Sequence, residues 1–330
     1  MTIYDIAREA GVAASTVSRV INNKPGIKAE TRERIQELLK KYNYTPDIAA
    51  RGLVKKSTKM VGILIVDLRV AHHVDGAFYM EQELTKRGYC AIIMGTGPTD
   101  EKKTEFIRLL EQRRVEGIVL MGSMFMTEAV KACIEQYLPT IPVVIVNGKF
   151  PLHNVSGVVV DEYGGIRDCV DYFVKKKRKK IAFVLDSLSP SNLNKQNGYI
   201  DGMHEHGFSD EELLLYTTED SNHQSGYDTT MKIIKEHPDV DGIIYSIDLI
   251  AVGGIRAAHD LGYRVPDDIA MIGVDSSVYG EISQPKLTTL DNKLYEISKA
   301  AADLLIKGLD GEVQNNVINF KCEIKEREST

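Results

Sequence analysis

The chain has 330 residues, of which 43% are hydrophobic and 27% charged, a composition typical of a globular protein with one small module and one larger two-lobed domain. No apolar run approaches the roughly 20 residues that a membrane-spanning helix needs, and the first residues include Asp5, Arg8 and Glu9 where a signal peptide is apolar. These features argue against a membrane or secreted protein, and we expect the chain in the cytoplasm.

The formal net charge of −6 is unevenly distributed along the chain. Residues 1–59 carry 12 Lys and Arg against 6 Asp and Glu, a net charge of +6, which leaves −12 on the remainder. A basic segment attracts phosphate groups, whereas an acidic remainder keeps a protein soluble. The asymmetry therefore indicates that the N-terminal segment contacts nucleic acid.

Features of metal, cofactor or catalytic sites are not visible in the sequence. The four cysteines are scattered singly, without the close pairs that zinc or redox motifs require. His204 and His206 stand two residues apart on a predicted helix, so their side chains point away from each other. No nucleophile or acid–base pair stands out. We therefore expect no metal, no cofactor and no catalytic residues.

The basic segment is predicted to contain three short helices. Thr2 can cap the first helix, which Gly11 ends, and Val17 and Val20 belong to the apolar stripe of the second. A third helix is predicted from about residue 28 to residue 42. Two helices joined by a tight turn and braced by a third form a helix-turn-helix.

Beyond residue 60, short β-branched runs alternate with amphipathic helical stretches, with a break predicted near 151–157. Such alternation predicts an α/β fold with parallel sheets covered on both faces, here as two lobes. Ligands of such folds bind at the carboxyl ends of the strands, in the cleft between the lobes. The predicted strands are 61–66, 91–94, 117–121, 143–146, 181–185, 242–245 and 269–274.

Residues 2–12 and 15–22 resemble the signature of the lactose-repressor family of bacterial regulators. The likeness continues at 31–35, 44–46, 50–53, 61–62, 272–275 and 287–289. The resemblance implies a helix-turn-helix head followed by a periplasmic-binding-protein-like pair of lobes that dimerises and binds a small effector, often a sugar or nucleobase.

The resemblance also implies the domain boundaries. We expect a DNA-binding head at 1–45, a hinge at 46–59 and an effector-binding and dimerisation domain at 60–330. Within that domain, lobe 1 is expected to comprise about 60–158 and 290–318, and lobe 2 about 159–289 and 319–330.

In the resembled family the second helix lies in the major groove of DNA. Arg19 is the best candidate base reader, because its planar guanidinium can pair with O6 and N7 of guanine, although a solvated or phosphate-facing role is the alternative. Ser15 can adapt to several base edges, and Ala14 can touch only a thymine methyl group.

Other residues of the head match family positions that hold the phosphate backbone, which positions a protein without reading sequence. Helix capping or turn formation is their alternative role. They are Thr16, Ser18, Asn22 and Thr31. Ala13 and Lys28 stand where the family usually has a capping Ser, so the second and third helices are predicted to lack their caps.

The linker matches the family's hinge helix, which folds on the operator. Leu53 matches a leucine that wedges into the central minor-groove step, with packing against the body as the alternative, and Ala50 belongs to the same helix. Asp47 stands where the family commonly has Asn, which places a carboxylate near phosphate.

The effector cleft departs from the family pattern. Asp275, at a strand end, matches the family's ligand-bonding aspartate, but Lys195 replaces an arginine. Asn147 and Ile247 stand where many relatives have Asp and Asn. His72 and His73, which follow the first strand of the body, are either ligand contacts or exposed loop residues.

Taken together, these residues predict a transcription regulator, most simply a repressor, that binds a palindromic operator in double-stranded DNA as a homodimer and responds to a sugar-like effector. Control by a phosphocarrier protein is the alternative, ranked lower because Asp303 replaces a basic residue of the relatives so regulated. A solute-binding protein or an enzyme is a remote alternative.

Overall fold

The structure is a computed structural model that describes residues 1–44, 57–312 and 315–330. It consists of two compact units, Met1–Thr58 and Lys59–Thr330. The hinge residues Asp47, Ala50 and Leu53 lie outside the described residues. Their proposed roles, and the domain boundaries drawn from the sequence, stay predictions.

The N-terminal unit contains the three predicted helices, α1 (Ile3–Glu9), α2 (Ala14–Ile21) and α3 (Ala29–Lys41). A capping box starts α1, in which the hydroxyl of Thr2 accepts from the amide of Asp5 and the carboxylate of Asp5 accepts from the amide of Thr2. Side chains from all three helices fill one small core: Ile6, Ala7, Ala10, Val17, Val20 and Ile35.

The two missing caps predicted from the sequence are confirmed. Ala13 and Lys28 occupy the N-cap positions of α2 and α3, and neither side chain makes a capping hydrogen bond. The first amides of both helices therefore lack the side-chain acceptor that Ser, Thr, Asp or Asn supplies.

Lobe 1 of the larger unit is built on a six-stranded parallel sheet in the order β11-β5-β4-β3-β1-β2. Its strands are β1 (Met60–Ile65), β2 (Cys90–Gly95), β3 (Gly117–Met121), β4 (Val143–Val146), β5 (Val155–Asp161) and β11 (Val317–Lys321). Helices on its two faces are α4 (Ala71–Lys86), α5 (Asp100–Gln112), α6 (Glu128–Tyr137) and α12 (Leu294–Leu309).

Lobe 2 has a second six-stranded sheet in the order β12-β10-β9-β8-β6-β7, parallel except for β12. Its strands are β6 (Ile181–Leu185), β7 (Leu214–Thr217), β8 (Gly242–Tyr245), β9 (Ala270–Val274), β10 (Thr288–Asp291) and β12 (Glu323–Lys325). Its helices are α7 (Glu162–Lys175), α8 (Pro190–Glu205), α9 (His223–Glu236), α10 (Asp248–Asp260) and α11 (Val278–Ile282).

The α/β fold class predicted from the sequence is confirmed, and every strand predicted from a β-branched run is present. The predicted break at 151–157 is wrong in its second half, because β5 begins at Val155 and pairs with β4 along Val143–Val146. Ser156 and Gly157 resemble loop residues in sequence, yet the whole segment from Val155 to Val158 is buried within the sheet.

The chain passes between the lobes after β5, after β10 and after β11. These crossings place strands from distant parts of the sequence in the same sheet, and they bring the carboxyl ends of the two sheets to one cleft. No helix among the described residues is long and apolar enough to cross a membrane.

Candidate DNA-binding head and effector cleft

Two of the predicted DNA-contacting residues lie on the exposed side of helix α2. Val17 and Val20 are buried, whereas Ser15 and Arg19 are exposed. The other predicted contacts are half-buried: Ala14, Thr16, Ser18, Asn22 and, on α3, Thr31. The head therefore offers one arginine and one hydroxyl on the outward face of a helix, a pattern suited to base contacts.

Two arginines hold the turn that follows α2. Nη2 of Arg19 donates to the carbonyl oxygen of Pro25 at 3.1 Å. Arg32, on α3, donates to Oδ1 of Asn23 at 2.9 Å and to the carbonyl oxygen of Lys24 at 2.6 Å. Arg19 thus has a structural partner inside the head as well as an exposed position.

Asn22 also bonds within its own helix. Its amide donates to the carbonyl oxygen of Ser18 at 2.7 Å and lies 3.4 Å from the Ser18 hydroxyl. These two predicted phosphate contacts are therefore neighbours at the end of α2.

In the larger unit, a cluster of ionisable side chains lies at the carboxyl ends of the strands, as expected for a cleft in this fold. Asp186 follows β6, and Asp275 follows β9. Glu162 starts α7 just after β5, and Lys195 lies on α8. Glu162 and Lys195 are almost completely buried.

Lys195 is the cation of this cluster, and its ammonium group is fully engaged by protein groups. Nζ lies 3.2 Å from Oε1 of Glu162, 3.3 Å from Oδ1 of Asn192 and 3.2 Å from the carbonyl oxygen of Ser246. Burial lowers the pKa of Lys195, but the charges of nearby carboxylates raise it above its ordinary value. The ammonium group therefore stays charged.

Asp186 was not predicted from the sequence. Its Oδ1 accepts from the hydroxyl of Ser246 at 2.7 Å and from the amide of Asn192 at 2.8 Å, and its Oδ2 accepts from the hydroxyl of Ser221 at 2.8 Å. Burial opposes its ionisation, but these hydrogen bonds and the charge of Lys195 hold its pKa below the usual value. In the sequence, its position directly after a predicted buried strand was the feature that could have identified Asp186 as a cleft residue.

Asp275 has fewer partners than Asp186. Its Oδ1 accepts from the amide of Asn292 at 2.9 Å, and no hydrogen bond from a described residue reaches its Oδ2. Its φ of +104° is rare for a residue with a side chain, and strain of this kind concentrates at functional sites. Burial is the main reason that the pKa of Asp275 rises to about 7.

His72 and His73 lie in the first turn of α4, not in an exposed loop. The side chain of His72 is 13% exposed, and its Nδ1 lies 3.4 Å from Oδ1 of Asp275 across the cleft. Nδ1 of both histidines is buried and has no hydrogen-bond partner. Burial lowers the pKa of each imidazole to about 4, so both are neutral near pH 7.

Asn147 and Ile247, the two other predicted cleft residues, make structural contacts. Oδ1 of Asn147 accepts from the amide of Val160 at 3.3 Å, which ties the end of β4 to β5. Ile247 precedes α10 and packs against the hydrophobic core of lobe 2. The structure therefore brings together His72, His73, Lys195 and Asp275, but does not direct Asn147 or Ile247 to the same polar cluster.

Another buried carboxyl group, that of Asp248, lies behind Asp275. Asp248 starts α10 and accepts from the amide and hydroxyl of Ser277 at 2.7 and 2.9 Å and from the hydroxyl of Thr289 at 2.7 Å. Thr289 in turn accepts from the amide of Ser276 at 3.1 Å. Asp248 thus supports the two residues that follow Asp275.

Within the described part of the chain, two polar contacts join the lobes across the cleft. One is the approach of His72 to Asp275, and the other is a hydrogen bond of 3.1 Å from the amide of Ser191 to the hydroxyl of Ser123. A ligand placed here touches both lobes, so it can change their separation. Among the described residues, no group of three His, Cys, Asp or Glu side chains is arranged to hold a metal ion.

Comparison with known proteins agrees with this architecture. Residues 2–47 match the family model of bacterial regulatory proteins of the lacI family. Residues 170–330 match the model of periplasmic binding protein-like domains. Over 333 residues the chain is 30% identical to catabolite control protein A of Priestia megaterium, an alignment that covers 100% of this chain and 99% of the relative.

The solved structures that share this fold include two regulators with bound ligands. The lac repressor dimer bound to operator and the anti-inducer ONPF matches with a TM-score of 0.89 and 21% identity, over 100% of this chain and 99% of that one. A complex of the transcriptional regulator CelR with cellobiose matches with a TM-score of 0.74 and 22% identity, over 100% of both chains.

Proposed function

The chain belongs to the lacI family of bacterial regulatory proteins and is a DNA-binding transcription regulator; from this premise we propose that it represses transcription as a homodimer on a palindromic operator and responds to a sugar-like effector in the cleft. The observation that carries the effector part of the proposal is the convergence of His72, Lys195 and Asp275 from two lobes on one cleft. A ligand that bonds both lobes favours one lobe arrangement, and this preference is what an allosteric regulator needs.

The DNA-binding surface in this proposal is the outward face of α2. Arg19, Ser15 and Ala14 approach base edges, while Thr16, Ser18, Asn22 and Thr31 approach phosphates. Ala50 and Leu53 of the hinge are proposed to enter the minor groove. The net charge of +6 on residues 1–59 supports this assignment, because phosphate contacts supply most of the affinity for DNA.

Exposed apolar side chains on the body support the homodimer. Phe78 is 54% exposed on α4, and Ile93 is 38% exposed on β2, which is an edge strand of its sheet. On lobe 2, Val278 and Ile282 of α11 are 56% and 74% exposed. A second copy of the chain covers such patches most simply, and the lac repressor of the same fold is a dimer.

The effector set in this proposal comprises His72, His73 and Asp275, with Lys195 supporting them through its bonds to Glu162 and Asn192, and with Asn147 and Ile247 at its margin. CelR, of the same fold, is known in complex with cellobiose, which supports a sugar-like effector for this chain.

Control by a phosphocarrier protein finds no support on α12. Asp303 lies there as a half-buried carboxylate and forms an ion pair with Arg87. A carboxylate at this position repels a phosphorylated partner.

Operator selection from random-sequence DNA by the full-length protein tests the proposal. We expect an enriched sequence with two inverted half-sites, bound with a steep negative dependence of affinity on salt concentration. Sedimentation of the complex should give two chains per operator. Enrichment of a single asymmetric site, or no enrichment at all, contradicts the proposal.

A further inference from the structure

In the cluster formed by the described cleft residues, carboxyl groups outnumber cations, and the ammonium group of Lys195 has no free hydrogen. Glu162, Asp186 and Asp275 supply three carboxyl groups against Lys195. The three protein oxygens around Nζ of Lys195 match its three N–H donors in number. An anionic ligand therefore finds no uncommitted positive charge on this residue.

Several hydrogen-bond acceptors of the described cleft residues, in contrast, have no donor. Oδ2 of Asp275 receives no hydrogen bond from the described residues, and Nδ1 of His72 and of His73 has no partner although it is buried. In the neutral tautomer that carries its proton on Nε2, each Nδ1 is an acceptor. A buried acceptor without a donor is costly, so the site favours a ligand rich in donors.

Nδ1 of His72 faces the carboxyl group of Asp275 across the cleft, and His73 lies beside His72 on α4. Nδ1 of His72 is 3.4 Å from Oδ1 of Asp275, and the two imidazole centroids are 6.0 Å apart. An ammonium group carries three N–H donors on one nitrogen, and its charge also complements the excess of carboxylates.

Building on the function proposed above, we propose that the effector of this protein is a cationic amino compound, of the amino-sugar class, whose ammonium group binds Asp275 with His72 and His73 as flanking acceptors. Sugar acids and sugar phosphates are disfavoured, because they add a negative charge beside Glu162, Asp186 and Asp275, which outnumber the cation Lys195. Burial raises the pKa of Asp275 more than the charge of Lys195 lowers it, so Lys195 compensates the charge of this carboxyl group only in part.

The test uses three matched sets of probes: glucosamine, galactosamine and mannosamine, each compared with its neutral hexose and its hexuronate. Binding to the full-length protein is measured as the rise in melting temperature, then by calorimetry. At least one aminohexose should bind about tenfold or more tightly than both of its matched compounds. The same compound should alter operator affinity, because coupling between the two sites is reciprocal.

Two variants test where the aminohexose binds. Asp275→Asn should weaken aminohexose binding by about tenfold or more. Asp210→Asn makes the same change on lobe 2 at a side chain that is 85% exposed, and should leave binding unchanged. Should Asp275→Asn fail to fold, the wild-type protein still provides a test. At about pH 6 a hexosamine is fully charged, and its binding should release close to one proton from Asp275, detected as a buffer-dependent binding enthalpy.

The outcomes distinguish this inference from the function on which it depends. A larger melting-temperature rise with a neutral hexose or a hexuronate, lost in Asp275→Asn, leaves the effector cleft in place but overturns the cationic effector. No rise with any aminohexose at millimolar concentration also overturns it. The regulator itself fails only if the operator selection fails.

Discussion

Nζ of Lys195 lies 3.2 Å from Oε1 of Glu162, and the two side chains are only 5% and 6% exposed. In the resembled family this position supplies an arginine to the ligand, and here it supplies a cation already bound to the protein. Glu162 starts the helix that follows the first lobe crossing, so the pair joins the crossing to α8 within lobe 2. The ion pair is therefore part of the framework on which the cleft is built.

Removal of one partner from this pair should be strongly destabilising. Lys195→Met leaves Glu162 buried without its cation, and breaking a buried pair in this way costs about 3–5 kcal/mol. The free energy of unfolding, measured by urea denaturation, should fall by that amount.

Two further variants test whether loss of the buried Lys195–Glu162 pair is the cause of this destabilisation. Lys102→Met breaks a surface pair of similar length, 2.9 Å to Glu105, with side chains 57% and 61% exposed, so it should cost at most about 1 kcal/mol. In the double variant Lys195→Met with Glu162→Gln, the unpaired charge is gone, and part of the lost stability should return. Additive losses in the double variant are the result that contradicts a coupled pair.

The sequence predicted the elements that carry strong periodic signals. The β-branched runs of β3, β4 and β8 coincide with the observed strands because these strands are buried on both faces and need no polar alternation. Strand β5 was missed because Ser156 and Gly157 interrupt its apolar run, although its sheet neighbours bury it completely at that point.

The candidate site was predictable only in part. Asp275 could be found because it follows a recognisable strand, but its shortage of donors depends on contacts made by residues far away in sequence. Asn147 has a plausible ligand-binding position, yet its side chain bonds to the backbone of β5. The hydrogen-bond partner of each side chain is set by the tertiary structure, which brings distant residues together, and a single sequence does not specify this.

Asp248 should make stability depend on pH in a defined direction. Burial and the charge of Asp275 raise its pKa to about 7 in the folded protein, against about 3.9 in an unfolded chain. Between these values the folded state binds more protons. The contribution of Asp248 to stability is therefore full below about pH 4 and is lost as pH rises through about 7.

Asp248→Asn removes this titration. The difference in the free energy of unfolding between variant and wild type should shift in favour of the variant as pH rises from about 4 to about 7. The pKa values of His72 and His73 are lowered to about 4, so these residues make stability rise with pH. Both proteins contain them, so their contribution cancels when the variant is compared with wild type. Urea denaturation at a series of pH values measures this difference in the free energy of unfolding. A difference that stays constant with pH contradicts the prediction.

Restoration of a missing cap should stabilise the head. Ala13 has φ and ψ of −72° and 149°, an extended conformation that suits an N-cap residue. Ala13→Ser should therefore add about 1 kcal/mol, seen as slower hydrogen exchange of the amides of α2 in the full-length protein. Ala14→Ser places the same hydroxyl one position later, inside the helix, and should give no such gain. Equal protection in both variants rules out capping as the cause.

Arg19 and Arg32 allow base reading to be separated from support of the turn. Both guanidinium groups bond to the turn after α2, but only Arg19 lies on the helix proposed to enter the major groove. Arg19→Ala should cost about 1–3 kcal/mol in binding to the selected operator and change affinity for random DNA very little, because loss of a base contact removes specificity without removing phosphate contacts.

Arg32→Ala is the matched control, because it removes two hydrogen bonds to the same turn and one positive charge from the same head. It should reduce affinity for operator and random DNA by similar factors, as expected when a charge or the shape of the head is altered. For each variant, competition binding at one fixed salt concentration measures the ratio of its affinity for the operator to its affinity for random DNA. An equal loss on the two DNAs for Arg19→Ala would assign Arg19 to the turn or to phosphate, and base reading would then pass to Ser15 as the exposed polar residue of α2.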